Sequence, residues 1–163
     1  MNKIIFLFVT LFGIGKLKRI PGTYASLATT ILLFFLFHKL NTSANIVLIC
    51  VIIIFFISLY AVNIFIKDLE NKDPKEVVID EFIGQSIPIC LYEIAHENTK
   101  EMSQILTAYF IMFILFRIFD IVKPYPVSYY DKNLKNSFGV VMDDVCAGLY
   151  VVAVLILYMI MST

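Results

Sequence analysis

The sequence predicts an all-α membrane protein: a polytopic bundle of about four to five transmembrane or re-entrant helices, with its chemistry in loops on the inner face. Three observations lead there. Of the 163 residues, 60% are hydrophobic and 16% charged, with a mean hydropathy of +0.87, which is wrong for a domain solvated only by water. The apolar residues come in continuous runs without the alternation of a β-barrel strand. The charges collect where those runs stop. No repeat or low-complexity segment divides the chain, so residues 1–163 read as one membrane-embedded domain.

The elements follow in order. Lys3 precedes IIFLFVTLF, which is too short to cross a bilayer, since a span needs about 20 apolar residues. It has no small-x-small cleavage site and runs straight into GIGKLKR, so it is expected to be retained, in the interface or packed on the bundle. Residues 25–37 form a short span, lengthened by the turn Pro21-Gly22-Thr23 with Thr23 as the expected N-cap. Residues 45–66, rich in Ile, Val and Phe, are the strongest span. After an Asp73-Pro74 turn, residues 76–92 carry Asp80-Glu81 ahead of FIGQSIPICLY. With Pro88 near the far end, this is expected to be a tilted or kinked crossing helix, although a re-entrant one also fits. Residues 104–119 and 145–161 supply two more runs, each barely long enough to span.

Alternating spans place Lys3, Lys16, Lys18, Arg19, Lys67, Lys72, Lys75, Arg117, Lys123, Lys132 and Lys135 on one side. Only Lys39 and Lys100 of the 13 basic residues fall on the other. Basic residues flanking spans collect in the cytoplasm, so the first side is expected to be cytoplasmic. The same partition puts Asp68, Glu70, Asp73, Asp80, Glu81, Asp120, Asp131, Asp143 and Asp144 inside, and both His residues outside. Formal charge is zero with no basic stripe, which excludes a nucleic-acid partner. Cys50, Cys90 and Cys146 sit in apolar runs without CxxC spacing and read as small buried hydrophobes.

Three carboxylate groups mark inner helix ends: Asp80-Glu81 and Asp143-Asp144 at expected starts, and Asp120 at an expected finish. Acids favour helix N-termini through the macrodipole, but Asp120 meets the unfavourable end and needs a partner. Five carboxylates converging from three helices would repel one another; a hard divalent ion such as Mg2+ removes that repulsion, and all-oxygen donors select it over zinc. Arg117 and Lys123 flank Asp120 at three-residue spacing, placed either to pair with it or to hold phosphate oxygens. GIGKLKRIPGTYAS adds backbone N–H groups and positive charge at a helix start. No Cys precedes an Arg at cysteine-phosphatase spacing and no DxDx[TV] string exists, so water attack assisted by a metal remains. An ion-conducting or cation-transporting subunit is the alternative reading of the acids; it would want carboxylates spaced along the bilayer, and none lies mid-span.

Read in order, GIGKLKRIPGTYASLA (13–28), DPKEVVIDEFIG (73–84), FRIFDIVKPYPVSYYDK (116–132) and GVVMDDVCAG (139–148) resemble the phosphatidylglycerophosphatase A family across almost the whole chain. Two departures are small: Asn136-Ser137 stands where the family often has a glycine pair, and Ala25 replaces a glycine. The resemblance implies a Mg2+-dependent helical phosphatase of the bacterial cytoplasmic membrane. It would convert the lipid phosphatidylglycerophosphate into phosphatidylglycerol and inorganic phosphate. It raises Asp80, Glu81, Asp120, Asp143 and Asp144 to favoured metal or catalytic residues without dividing the roles among them; the division expected here is Asp80, Asp120 and Asp144 as metal ligands, with Glu81 or Asp143 as the base. Lys16, Thr23, Ser26, Arg117 and Lys123 would bind substrate. Membrane lipids are the other expected partners, and a homo-oligomer is left open.

Overall fold

A computed structural model describes residues 3–67, 69, 74–96 and 101–162. Seven α-helices lie among them, with no strand: α1 (Lys3–Val9), α2 (Pro21–His38), α3 (Ala44–Ile66), α4 (Ile79–His96), α5 (Met102–Val122), α6 (Val127–Asn133) and α7 (Ser137–Ser162). Four of them, α2, α3, α5 and α7, are long and apolar enough to cross a membrane. Asp68, Glu70, Lys72, Asp73 and Lys100, used above to orient the chain, lie outside the described residues.

α4 is the axle of the bundle. It packs against α2, α3, α5 and most extensively α7, and it buries Asp80, Gln85 and Ser86 along with Ile83, Ile89 and Cys90. Its modest hydropathy now has a reason: neighbouring helices, rather than lipid, are its solvent. The lipid-facing load falls on the outer helices, whose exposed side chains include Ile52, Phe56, Phe110 and Ile156.

Side-chain contacts show that α4 runs the length of the bundle. At one end His38 Nε2 of α2 lies 3.3 Å from Glu93 Oε1 of α4, and Tyr109 of α5 donates its hydroxyl to the same oxygen at 2.9 Å. At the other end Gly22 of α2, Glu81 of α4 and Arg117 of α5 meet. α2 and α4 therefore run parallel, and α5 runs back between them.

Several boundaries differ from the sequence reading, each for a physical reason. α2 starts at Pro21, whose fixed φ suits the first helical position; Ile20 is the N-cap residue and Thr23 lies inside the first turn, capping nothing. α4 starts at Ile79, because residues 74–78 are held as a turn by Val78 N–H donating to the Val9 carbonyl at 2.9 Å. α5 and α7 extend past their apolar runs, since their charged residues sit inside the helices and find partners there. Asp143 and Asp144 consequently lie in the second turn of α7, not at its start. The amino-terminal helix packs on α3, with Val9 fully buried and Phe6 ringed against Phe65 at 6.2 Å. α6 was not foreseen; it lies between Pro126 and Leu134 and packs on α7.

Candidate active site

The site begins with two glycines. A Cβ on Gly84 of α4 would stand 2.5 Å from the Asp144 carbonyl oxygen and 2.7 Å from Phe116, and one on Gly148 of α7 would collide with the Gly84 carbonyl. Pro88 has no N–H to offer that carbonyl one turn back, so Gly84 turns its oxygen on Gly148 instead. Two helix backbones touching at this level bring the carboxylates on either side of the crossing together.

Asp80, Glu81 and Asp144 each offer an oxygen, and the three lie within 4.8 Å of one another. Asp80 and Asp144 are buried and Glu81 half-buried, with its Oε2 atom enclosed and given no hydrogen bond among the described residues. Carboxylates about 4 Å apart repel by roughly 4 kcal/mol each at an effective dielectric of about 20. A hard divalent cation fits this set: all donors are oxygen, one is an orphan buried acceptor, and the cluster carries more negative charge than its neighbours cancel. Gly22 makes room for the Glu81 carboxylate, since any side chain there would run into Glu81 Oε1.

Arg117 borders the cluster. Its Nη1 lies 2.7 Å from Asp120 Oδ2 and donates to Ser26 Oγ at 3.3 Å, while its Nε is buried without a hydrogen-bond partner among the described residues. The Ser26 hydroxyl donates back to the Gly22 carbonyl at 2.9 Å, so one turn of α2 holds both the gap for Glu81 and the rest for Arg117. Lys123, the last residue cap of α5, has a left-handed backbone with φ 49° and ties two elements together. Its ammonium donates to Asp131 of α6 at 2.5 Å and to Asp143 of α7 at 2.8 Å. Burial alone would lower the pKa of this ammonium; the Asp143 and Asp131 carboxylates overcome that and hold it above the ordinary lysine value.

The expected site residues thus sort into three groups. Asp80, Glu81 and Asp144 converge as a metal-sized set, with Ser26, Arg117 and Asp120 beside them. Asp143 and Lys123 form a second, linked group with Asp131, a partner the sequence reading had not paired with them. Lys16 lies apart, its ammonium 4.5 Å from the centre of the Phe6 ring, and Thr23 is half-buried in the first turn of α2. Gly22 was read only as part of a turn, and the spacing glycines Gly84 and Gly148 went unremarked in the sequence, although each of the three sits inside or closes one of the four strings that carry the chemistry.

Comparison with known proteins bears on this arrangement. The family model for phosphatidylglycerophosphatase A matches residues 7–159. A phosphatidylglycerophosphatase A of Haemophilus influenzae is 38% identical over 143 residues, 88% of this chain and 81% of that protein. A Bacteroides thetaiotaomicron protein, whose name carries phosphatidylinositol-3-phosphatase as a provisional assignment, is 35% identical over 141 residues, covering 85% and 83%. Phosphatidylglycerophosphatase A of Escherichia coli is 32% identical over 152 residues, covering 91% and 78%. No solved structure matches the chain. With the match spanning every helix that contributes to the carboxylate end, this polytopic helical protein belongs to the phosphatidylglycerophosphatase A family of phosphatases.

Proposed function

We infer that the chain hydrolyses the phosphomonoester of phosphatidylglycerophosphate to phosphatidylglycerol and inorganic phosphate, using Mg2+ at the cytoplasmic face of the bacterial inner membrane. The observation that carries this is the convergence of Asp80, Glu81 and Asp144 within 4.8 Å, with Arg117 alongside. Family membership supplies the lipid. The substrates named for the relatives, phosphatidylglycerophosphate and phosphatidylinositol 3-phosphate, share one plan: a phosphomonoester on a polyol that a phosphodiester joins to diacylglycerol.

Asp80, Glu81 and Asp144 would hold the ion, which when bound screens phosphate charge and acidifies water. The guanidinium of Arg117 is aimed by Asp120 and Ser26 and takes equatorial phosphate oxygens as its planar fork allows. Glu81 brings one oxygen to the cluster and keeps its second for the proton of the attacking water. The water oxygen bonds to phosphorus as the bond to the glycerol oxygen breaks, and the proton that Glu81 took from the water is returned to that leaving oxygen. Asp143, the other candidate base, is held by Lys123 in an ion pair of 2.8 Å. A transport pathway is not favoured, because the cluster gathers at one end of the bundle rather than along it.

The test is phosphate release from phosphatidylglycerophosphate by the purified chain in lipid micelles. Wild type should turn over with Mg2+ and stop when it is chelated. Asp144→Asn and Glu81→Gln should each lose about a hundredfold or more while keeping wild-type helicity. Unchanged turnover in both would remove the cluster from the chemistry.

A further inference from the structure

Beside the carboxylates lies a cavity of about 550 Å3 that this chemistry leaves unused. Lys16, Lys18 and Lys75 line it, with Glu76 as the only acid of its described lining, while Phe6, Phe65 and Leu69 give it an apolar side. None of the three lysines makes an ion pair among the described residues. The ring of Phe6 steadies the Lys16 ammonium without neutralising it.

The fold builds this cavity from two turns pressed together. Gly15 N–H donates to the Thr10 carbonyl at 3.0 Å, and Val78 N–H reaches Val9. A Cβ on Gly15 would strike the Glu76 carbonyl, so only glycine lets the turn carrying Lys16 and Lys18 close on the turn carrying Lys75. Its location ties it to the reaction centre: Pro21 lines the cavity, and the next residue, Gly22, abuts Glu81 and Arg117. Neighbouring Cα atoms are about 3.8 Å apart, so the chain passes from the lining of the cavity to the edge of the carboxylate site in one residue.

A cavity that is cationic on one side and apolar on the other, set at the end of a membrane bundle, matches a phosphate with lipid attached. We propose that it binds the phosphodiester of the substrate, the group joining the glycerol headgroup to diacylglycerol, while the phosphomonoester reaches the carboxylate end. This rests on the phosphatase reading above. The phosphodiester keeps its charge throughout hydrolysis, so the lysines stabilise ground state and transition state alike. Their contribution belongs in KM and leaves kcat nearly untouched. The product carries the same phosphodiester and occupies the same cavity.

The full-length chain in detergent decides this, with the double variant Lys18→Ala/Lys75→Ala. KM for phosphatidylglycerophosphate should rise about tenfold to a hundredfold with kcat close to wild type. Calorimetric affinity for dioctanoylphosphatidylglycerol should fall by a similar factor, and neither inorganic phosphate nor dioctanoylglycerol, which lacks the phosphodiester, should displace that lipid from wild type. Unchanged KM and affinity, a fall in kcat with KM unmoved, or displacement by either competitor overturns the proposal. Lysine-dependent binding of the lipid by a wild-type chain that releases no phosphate would uphold the cavity and discard the phosphatase reading.

Discussion

Arg117 shows how much hangs on the shape of one side chain. It contacts Asp120 and Ser26 through a single nitrogen and leaves Nε enclosed, with no hydrogen bond among the described residues. A lysine there would keep the charge and lose the fork, so Arg117→Lys should cost about tenfold or more in kcat/KM at wild-type helicity, measured by phosphate release. Lys123 makes a prediction about pH. Its pKa is raised in the folded state, so its stabilisation is fully present below the unfolded lysine value of about 10.4 and disappears as pH climbs through the higher folded one. The difference in thermal stability between wild type and Lys123→Ala should stay flat from about pH 7 to pH 10 and shrink beyond. The identities of these groups were legible in the sequence, because acids and bases beside apolar runs are few and the three-residue spacing of Arg117, Asp120 and Lys123 sets them on one helix surface. Their pairing was legible only in part, since an Arg117–Asp120 pair was one of two arrangements that the spacing left open. Lys123 finds Asp131 across a short helix that no apolar run announces, and three-residue spacing alone does not say whether Asp120 serves a metal or an arginine.

Between elements, the decisive contact is the glycine crossing of α4 and α7. Gly84→Ala places a methyl against the backbone of Asp144 and the ring of Phe116, and Gly148→Ala places one against Gly84. Each should force the helices apart, cost about 1–3 kcal/mol of stability, and lower activity further than stability alone requires, because Asp144 moves away from Asp80 and Glu81. Thermal denaturation beside phosphate release would separate the two effects, and full activity in both variants would show that the crossing does not set the site. Helix existence was readable from apolar runs for α2, α3, α5 and α7, and from the Asp80-Glu81 boundary for α4. The true ends were hidden wherever charge continues inside a helix, as at Asp120 and Asp143, since hydropathy stops where a polar pair begins.

For the molecule as a whole, the basic asymmetry predicts sidedness. In a chain stripped of its native cysteines, a single cysteine at position 132 should resist a membrane-impermeant maleimide in intact cells and react once they are opened; labelling in intact cells would invert the orientation. The two bundle ends have unlike chemistry, a His38, Glu93 and Tyr109 clasp at one and carboxylates with arginine at the other, and only the second was anticipated. The clasp escaped notice because its members come from three distant stretches, none with a motif of its own. The wrapped position of α4 also has a consequence for biogenesis. A segment this polar, with Asp80, Glu81, Gln85 and Glu93 along it, has little to gain from lodging in lipid alone. It settles in the bilayer only once its companions are there to receive it, so a nascent chain halted after His96 should leave this segment accessible to a reporter glycan, and one halted after α7 should not.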